Sequence, residues 1–497
     1  MSVLMASQPV IRIRATWVVG YQDGDHRLFS PGEVVYQGSV VVFVGQNYVG
    51  RVDEEIHAGN TLVGPGFIDL DALGDLDTTV LGFDNQPGWT KGRVVAADWQ
   101  RRDLYSREEL NFNKLYAYTQ LLLNGITTAM PITSILYRQW AEDIDEYRHA
   151  ADVAESLGLR AWLGPAFMSG HNVVEAGGQI GMRFDEQRGL AGLEDAERFI
   201  EEMAARKVST LRGFLAPDRI EGCTPGLLAA LSETAKRHDV PVRLHCYQSE
   251  LEVNEIHQRF QGRYSLQVLA DFDLLHKKML LPHGQYLGGK SATRDSITRD
   301  IRLLVESQTN LVLCPLVSGR HAKYLEQYLP LREAGVTMGL GTDTFPPDML
   351  ANMHLGTILS RVVTQNVQAA SAADYYRMAT LGGAKALGRE DLGRLCAGAQ
   401  ADITLISLDE PAMGQIFDPI TALVINGNGR DVRGVIIAGE KVVWDRQLVK
   451  RQIDLEQLHR QAQRQFERLM ATYPERSFQH PPLDKLFAHS FTVNPTT

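Results

Sequence analysis

Cysteine is scarce in this chain. Four stand among 497 residues, Cys223, Cys246, Cys314 and Cys396, far apart and without a C-x-x-C spacing. Thiols so spread suit a reducing cytoplasm better than a disulfide framework. A run of ~18 apolar residues is also missing, so no membrane span is expected. The opening stretch, MSVLMASQPVIRIRATWVV, has no proper apolar h-region, and no secretory signal is expected from it. Positive charge is in deficit: 50 Lys and Arg against 60 Asp and Glu leave a net charge of −10, which argues against nucleic acid as a partner. What is present is ordinary for a soluble globular protein, 44% hydrophobic and 22% charged, with length enough for one large domain and a smaller one.

Residues 9–62 alternate in the manner of strands, as in Val10-Ile11-Arg12-Ile13-Arg14 and Val40-Val41-Val42-Phe43-Val44, with turn clusters at 20–25 and 45–50. From residue 63 the rhythm changes. Eight apolar runs, 65–71, 125–132, 159–167, 208–216, 241–247, 279–285, 310–316 and 336–343, alternate with helical patterns such as Arg107–Asn124 and Leu350–Gln365. Eight strand–helix units predict an α/β fold, a (β/α)8 TIM barrel over 63–396. A doubly wound sheet would not need eight. The strand pattern returns after Gly398. The expectation is a small β-sandwich domain built from both chain ends, 1–62 and 397–450. A charged helix covers 454–471, and the tail 472–497 is either disordered or an arm laid on another subunit. Its Phe478, Leu483, Leu486, Phe487 and Phe491 have no obvious core to join, which predicts a homo-oligomer, most simply a dimer.

Chemistry in such a barrel sits at the C-terminal ends of the strands. Reading only those ends gives Asp71, then His245 in Leu244-His245-Cys246-Tyr247-Gln248, then His283 in Pro282-His283-Gly284, then Asp343 in Gly341-Thr342-Asp343. Two imidazoles and two carboxylates would converge on one mouth. By residue type this is a metal-ligand set or an acid/base set.

The ordered motifs resemble the amidohydrolase superfamily, in its cytosine deaminase-like and triazine hydrolase-like branch. Pro65-Gly66-Phe67-Ile68-Asp69 matches the first strand, Ala216-Pro217 through Cys223-Thr224-Pro225 the fourth-strand loop, and His245, His283 and Gly341-Thr342-Asp343 the later positions. Ala379 to Ala384 with Gly398 to Asp402 matches the return to the small domain. The resemblance implies hydrolysis of a C–N bond, amide hydrolysis or deamination, in a small polar molecule by a metal-activated water. It implies one divalent metal ion, zinc first, held by His245 and Asp343 with Asp71 as a third ligand. Asp343 would also take the water's proton, and His283 would polarise the substrate.

Two departures fall on the chemistry. The family closes its first strand with H-x-H; here Asp71 and Leu73 stand there. The branch places a proton-shuttling glutamate three residues after the fifth-strand histidine; here that residue is Gln248, which cannot do acid/base work. Asp71 is thus either a ligand or a carboxylate paired with a cation. A metal-free acid/base enzyme and a non-catalytic binding protein are the alternatives. Candidate substrate contacts are Gln248, Asp75 and Asp77 in the acidic loop after the first strand, Trp89, His171, Arg219, Arg320 and His321. That acidic loop suggests an amine-bearing substrate.

Overall fold

The computed structural model of the chain describes residues 8–76, 94–133, 138–486 and 489–494. The alternating N-terminal stretch forms β1 (Val10–Gln22), β2 (Asp25–Phe29), β3 (Gly32–Gln37), β4 (Val40–Gly45) and β5 (Glu54–Pro65). The hairpin between β1 and β2 turns on Asp23 and Gly24, both at positive φ, which matches the twist of the strands it joins.

Eight further strands each overlap one of the eight predicted runs. They are β6 (Phe67–Leu73), β7 (Ile126–Ile132), β8 (Arg160–Leu163), β9 (Leu211–Gly213), β10 (Val242–Arg243), β11 (Met279–Pro282), β12 (Asn310–Leu313) and β13 (Met338–Leu340). They pair in parallel as two half-sheets, ordered β9-β8-β7-β6 and β10-β11-β12-β13. Hydrogen bonds also link the halves at both margins. Arg243 N donates to Leu215 O at 3.0 Å on one side, and Asp343 N donates to Asp71 O at 2.8 Å on the other. Strand alternation divides the core. Leu280 and Val312 join Ile68, Leu70, Met130, Trp162 and Phe214 in one cluster. Their neighbours Leu281, Leu311 and Leu313 join the helix-facing cluster with Leu121, Tyr147 and Leu304. Helices fill the connections, and their ends are capped from the sequence. Arg107–Leu123 opens on a Ser106–Glu109 capping box, and Ile144–Leu157 ends at Gly158 in the left-handed region.

The chain then returns to its beginning. β14 (Ile403–Ser407) lies antiparallel to β5 and is followed by β15 (Val432–Ile437), β16 (Glu440–Trp444) and β17 (Gln447–Leu448). Both chain ends therefore share one nine-stranded sheet, ordered β17-β16-β15-β14-β5-β1-β3-β4 with β2 on β1. The expected two-sheet sandwich differs from this. β5 pairs along both edges, with Leu62 opposite Trp17 on one side and Ile406 on the other, so hydrogen bonding crosses the sheet unbroken. Register shifts around Ala15 give β1 the bulges that let such a sheet bend.

The two parts are bolted by a buried ion pair. Arg160 of β8 donates from Nε and Nη2 to Asp402 at 2.7 and 2.9 Å, and Asp402 also accepts from Ala438 N. The late helix Leu455–Thr472 sets Leu458, Ala462 and Leu469 against Leu110 and Phe112. Among the described residues no helix is long and apolar enough to cross a membrane.

Candidate active site

Asp71 lies near the C-terminal end of β6, fully buried. A register shift between Asp69 and Ala72, in the pairing of β6 with β7, breaks strict alternation there. Gly339 of β13 and Gly341 just beyond that strand accommodate the result. A Cβ on Gly339 would lie 2.5 Å from Leu70 Cδ1, and one on Gly341 2.5 Å from Asp71 Cβ. Asp69 anchors the same edge, accepting from Thr342 N at 3.0 Å and Thr342 Oγ1 at 2.6 Å. Burial pushes the Asp69 carboxyl up to about 7, against the pull of those hydrogen bonds.

His245 follows β10. Its Nδ1–H donates to Asp218 O at 2.6 Å, which turns Nε2 toward Asp71 Oδ2, 3.5 Å away. His283 follows β11 at φ 77°, its ring stacked on His245 with centroids 5.4 Å apart. Both His283 ring nitrogens are buried without a hydrogen-bond partner. Its Nε2 lies 3.6 Å from Asp343 Oδ2. Asp343, at φ 47°, keeps 17% of its side chain open.

One ligand atom from each of Asp71, His245 and His283 lies within 4.8 Å of the other two. Burial resists ionisation of Asp71, but His245 and Arg243 outweigh it and hold the carboxyl well below the usual carboxylate range. Burial, with His245 beside it, pushes His283 well below the usual imidazole range. An ionised carboxylate at Asp71 and a neutral imidazole at His283 are protonation states that metal ligation requires. The spacing fits as well. Ligands at ~2.1 Å around a tetrahedral zinc are about 3.4 Å apart, close to the 3.5 Å between Asp71 and His245. The residues present therefore fit a divalent ion. The cluster sets His283 beside Asp71 and His245, where the resemblance assigned Asp343 as the third holder.

The remaining candidates fall in different places. Gln248 accepts from Arg219 Nη1, and its backbone N–H donates to Glu252 Oε2 at 2.7 Å. The nearby Glu250 does not stand in for the missing glutamate, since it is exposed and paired with Lys290. Arg219 Nε lies 3.6 Å from Asp218 Oδ2, and the Arg219 charge reaches both His283 and Asp343. Arg320 Nη1 donates to Thr344 Oγ1 at 2.5 Å, beside Asp343, and His321 is near enough to act on His283. His171 sits on the strand Gly170–Val174, edge-on to Trp140 at 4.8 Å, and burial pushes its imidazole down to about 3. Asp75 is fully buried, and its charge acts on the buried Arg138. Asp77 and Trp89 lie outside the described residues.

Two further residues touch the site. Cys314, after β12, donates Sγ–H to Asp71 Oδ2 at 3.6 Å. Arg243, of β10, places Nε 3.4 Å from Asp71 Oδ1. The signal for Arg243 is in the sequence: a cation in the middle of an apolar strand, two residues before His245 and hence on its face.

A model of the Amidohydrolase family matches residues 64–442. The chain belongs to this family. It is 26% identical over 434 residues to the 5-methylthioadenosine/S-adenosylhomocysteine deaminase of Pyrococcus furiosus, covering 85% of this chain and 93% of that protein. With the 5'-deoxyadenosine deaminase of Methanosarcina acetivorans it shares 25% over 421 residues, 83% of this chain and 88% of that one. Among solved structures, the adenosine deaminase of Xanthomonas campestris with bound zinc superimposes with a TM-score of 0.74 at 20% identity, covering 93% of this chain and 98% of that one. The zinc complex of atrazine chlorohydrolase from Arthrobacter aurescens TC1 gives the same score and identity, covering 92% and 100%. This amidohydrolase is a hydrolase of carbon–nitrogen bonds other than peptide bonds.

Proposed function

We propose that this amidohydrolase deaminates a small amine-bearing heterocycle, with adenosine-type nucleosides the first to try. One observation carries the reading. Asp71 Oδ2 and His245 Nε2 stand 3.5 Å apart beside His283, whose two buried ring nitrogens have no hydrogen-bond partner, and one ligand atom from each of the three lies within 4.8 Å of the others. Three buried ligand-type side chains gathered so closely can take a cation among them. Asp71, His245 and His283 would hold a divalent ion, zinc as in the two neighbours above, and when bound it supplies a water ionised near neutral pH.

The chain's own residues do the rest. Asp343, partly open and next to His283, accepts the proton of the attacking water at Oδ2. The water oxygen adds to the trigonal carbon, the C–N bond breaks, and Asp343 returns the proton to the departing amine, which leaves as ammonia. Gln248 cannot share this task, so Asp343 serves as base and then acid. Gln248 instead holds Arg219 at the rim.

A second reading is favoured by one contact, the ion pair between Asp71 and Arg243. On it, His245, His283 and Asp343 would act as acid/base groups without a metal. Ammonia release from an amine panel, before and after exhaustive chelation, separates the two. Loss on chelation with recovery on zinc supports the first, full activity without metal supports the second, and no release from any amine overturns both.

The inference extends to the fold. The links Arg243–Leu215 and Asp343–Asp71 support closure of the two half-sheets into one (β/α)8 barrel over 63–396, with 1–62 and 397–450 as the small domain. The exposed Phe491 and Leu483 support a homodimer, and the scattered free thiols support a cytoplasmic location.

A further inference from the structure

We infer that Arg243 is a built-in counter-cation for Asp71, which fixes the carboxylate for the site and weakens the site's hold on a divalent ion. The inference rests on reading Asp71, His245 and His283 as the metal-holding set.

Arg243 is 1% exposed. An arginine cannot shed its proton, so a full positive charge sits permanently in the protein interior. Its partners are few and all point one way. Nη1 donates to Met130 O and, at 3.4 Å, to Leu70 O; Nη2 donates to Pro131 O at 3.3 Å. The guanidinium lies over the Phe214 ring, 5.0 Å from its centroid. These contacts occupy both terminal nitrogens and the flat face, so the group is held from rotating. The remaining Nε edge meets Asp71 Oδ1 at 3.4 Å, and among the described residues Asp71 is the one carboxylate within ion-pair distance of it.

Two consequences follow. With Oδ1 engaged by Arg243, Oδ2 is the oxygen presented to His245 and Cys314. Arg243 therefore acts through Asp71, as a positioning residue. A divalent ion drawn to Asp71 meets a fixed like charge behind the carboxylate, which lowers its affinity. The residue types at 71 and 243 are thus one choice. A neutral imidazole at 71 would leave a buried guanidinium without an anion, so the acid on the first strand and the arginine on the fifth belong together.

The test compares the full-length protein with Arg243→Met, Arg243→Lys, Asp71→His and the double variant Asp71→His/Arg243→Met. Zinc affinity is read by competition with a chromophoric chelator, and thermal unfolding is followed in chelator and in zinc. Arg243→Met is expected to melt lower than wild type in chelator, because Asp71 loses its partner. Zinc should recover that loss, giving a larger zinc-induced rise than in wild type, with zinc bound at least tenfold more tightly. Arg243→Lys restores the charge and should return the affinity towards wild type. The double variant buries no unpaired charge and should bind zinc at least tenfold more tightly than both Asp71→His and wild type; this arm keeps the test open if Arg243→Met does not fold. Equal zinc affinity with and without the guanidinium would overturn the inference. So would a zinc-induced rise in melting temperature that is the same in wild type and Arg243→Met. Zinc binding by Arg243→Met but not by wild type would uphold it while removing metal from the proposed function of the native site.

Discussion

Gly341→Ala should disable the enzyme without unfolding it. The added Cβ would stand 2.5 Å from Asp71 Cβ, 3.1 Å from Asp71 N and 3.1 Å from Cys314 Sγ. Carbon atoms pack at about 3.5 Å or more, so β6 and the segment after β13 must part by roughly 1 Å. That separation falls on the Asp343 N to Asp71 O hydrogen bond, the link that sets the proposed base against the carboxylate proposed to hold the metal. Overpacking a well-filled interior by one methyl costs about 1–3 kcal/mol, within what a folded domain tolerates. A misplacement of ~1 Å in a catalytic constellation costs on the order of 100-fold in rate. Steady-state kinetics beside urea denaturation reads both effects. The expected result is a kcat loss of about two orders of magnitude with a folded protein. Wild-type kcat in a folded Gly341→Ala variant would refute the argument that Asp71 and Asp343 work through this close approach.

Arg160→Met leaves Asp402 buried and unpaired between the two parts of the molecule and should cost about 3–5 kcal/mol in chemical denaturation. His26 gives a pH signature: burial depresses its imidazole to about 4 in the folded chain, while its Nε2 lies 2.9 Å from Thr380 Oγ1. The unfolded chain then binds a proton that the folded one does not between pH ~6.5 and ~4, so stability present above 6.5 falls as pH drops through that window, by at most about 3 kcal/mol. His26→Gln should flatten that part of the stability profile; an unchanged profile would rule out His26 as its source. Truncation before Leu483 should weaken the proposed homodimer, read by light scattering at several concentrations.

Much of the fold is legible in the sequence, because parallel strands buried on both faces read as apolar runs at regular spacing. Each of the eight runs overlaps a strand, and the strand ends carry Asp71, His245, His283 and Asp343. What the runs do not reveal is how the two chain ends share hydrogen bonds. β5 looks like any edge strand until β14 is seen on its free side. In the site, the acidic residues after β6 illustrate a second gap. Asp75 reads as a solvated face or a lure for amines, yet it is fully buried near Arg138. Burial of a charge depends on a partner more than sixty residues away, which local pattern does not encode. Arg243 was legible in kind, since a cation inside a strand demands an anion, but Asp71 as that anion follows only from the pairing of strands across the structure. The roles of Gln248 and Arg219 are likewise a matter of contact rather than of sequence.

On the proposed reading, Asp71, His245 and His283 hold a divalent ion that the hydrolysis needs. Elemental analysis of purified wild type and His245→Ala, alongside ammonia release before and after exhaustive chelation, tests it most directly. The expected result is about one zinc per chain, lost in His245→Ala, and activity that vanishes on chelation and returns with zinc. Full activity in a preparation stripped of metal would contradict it.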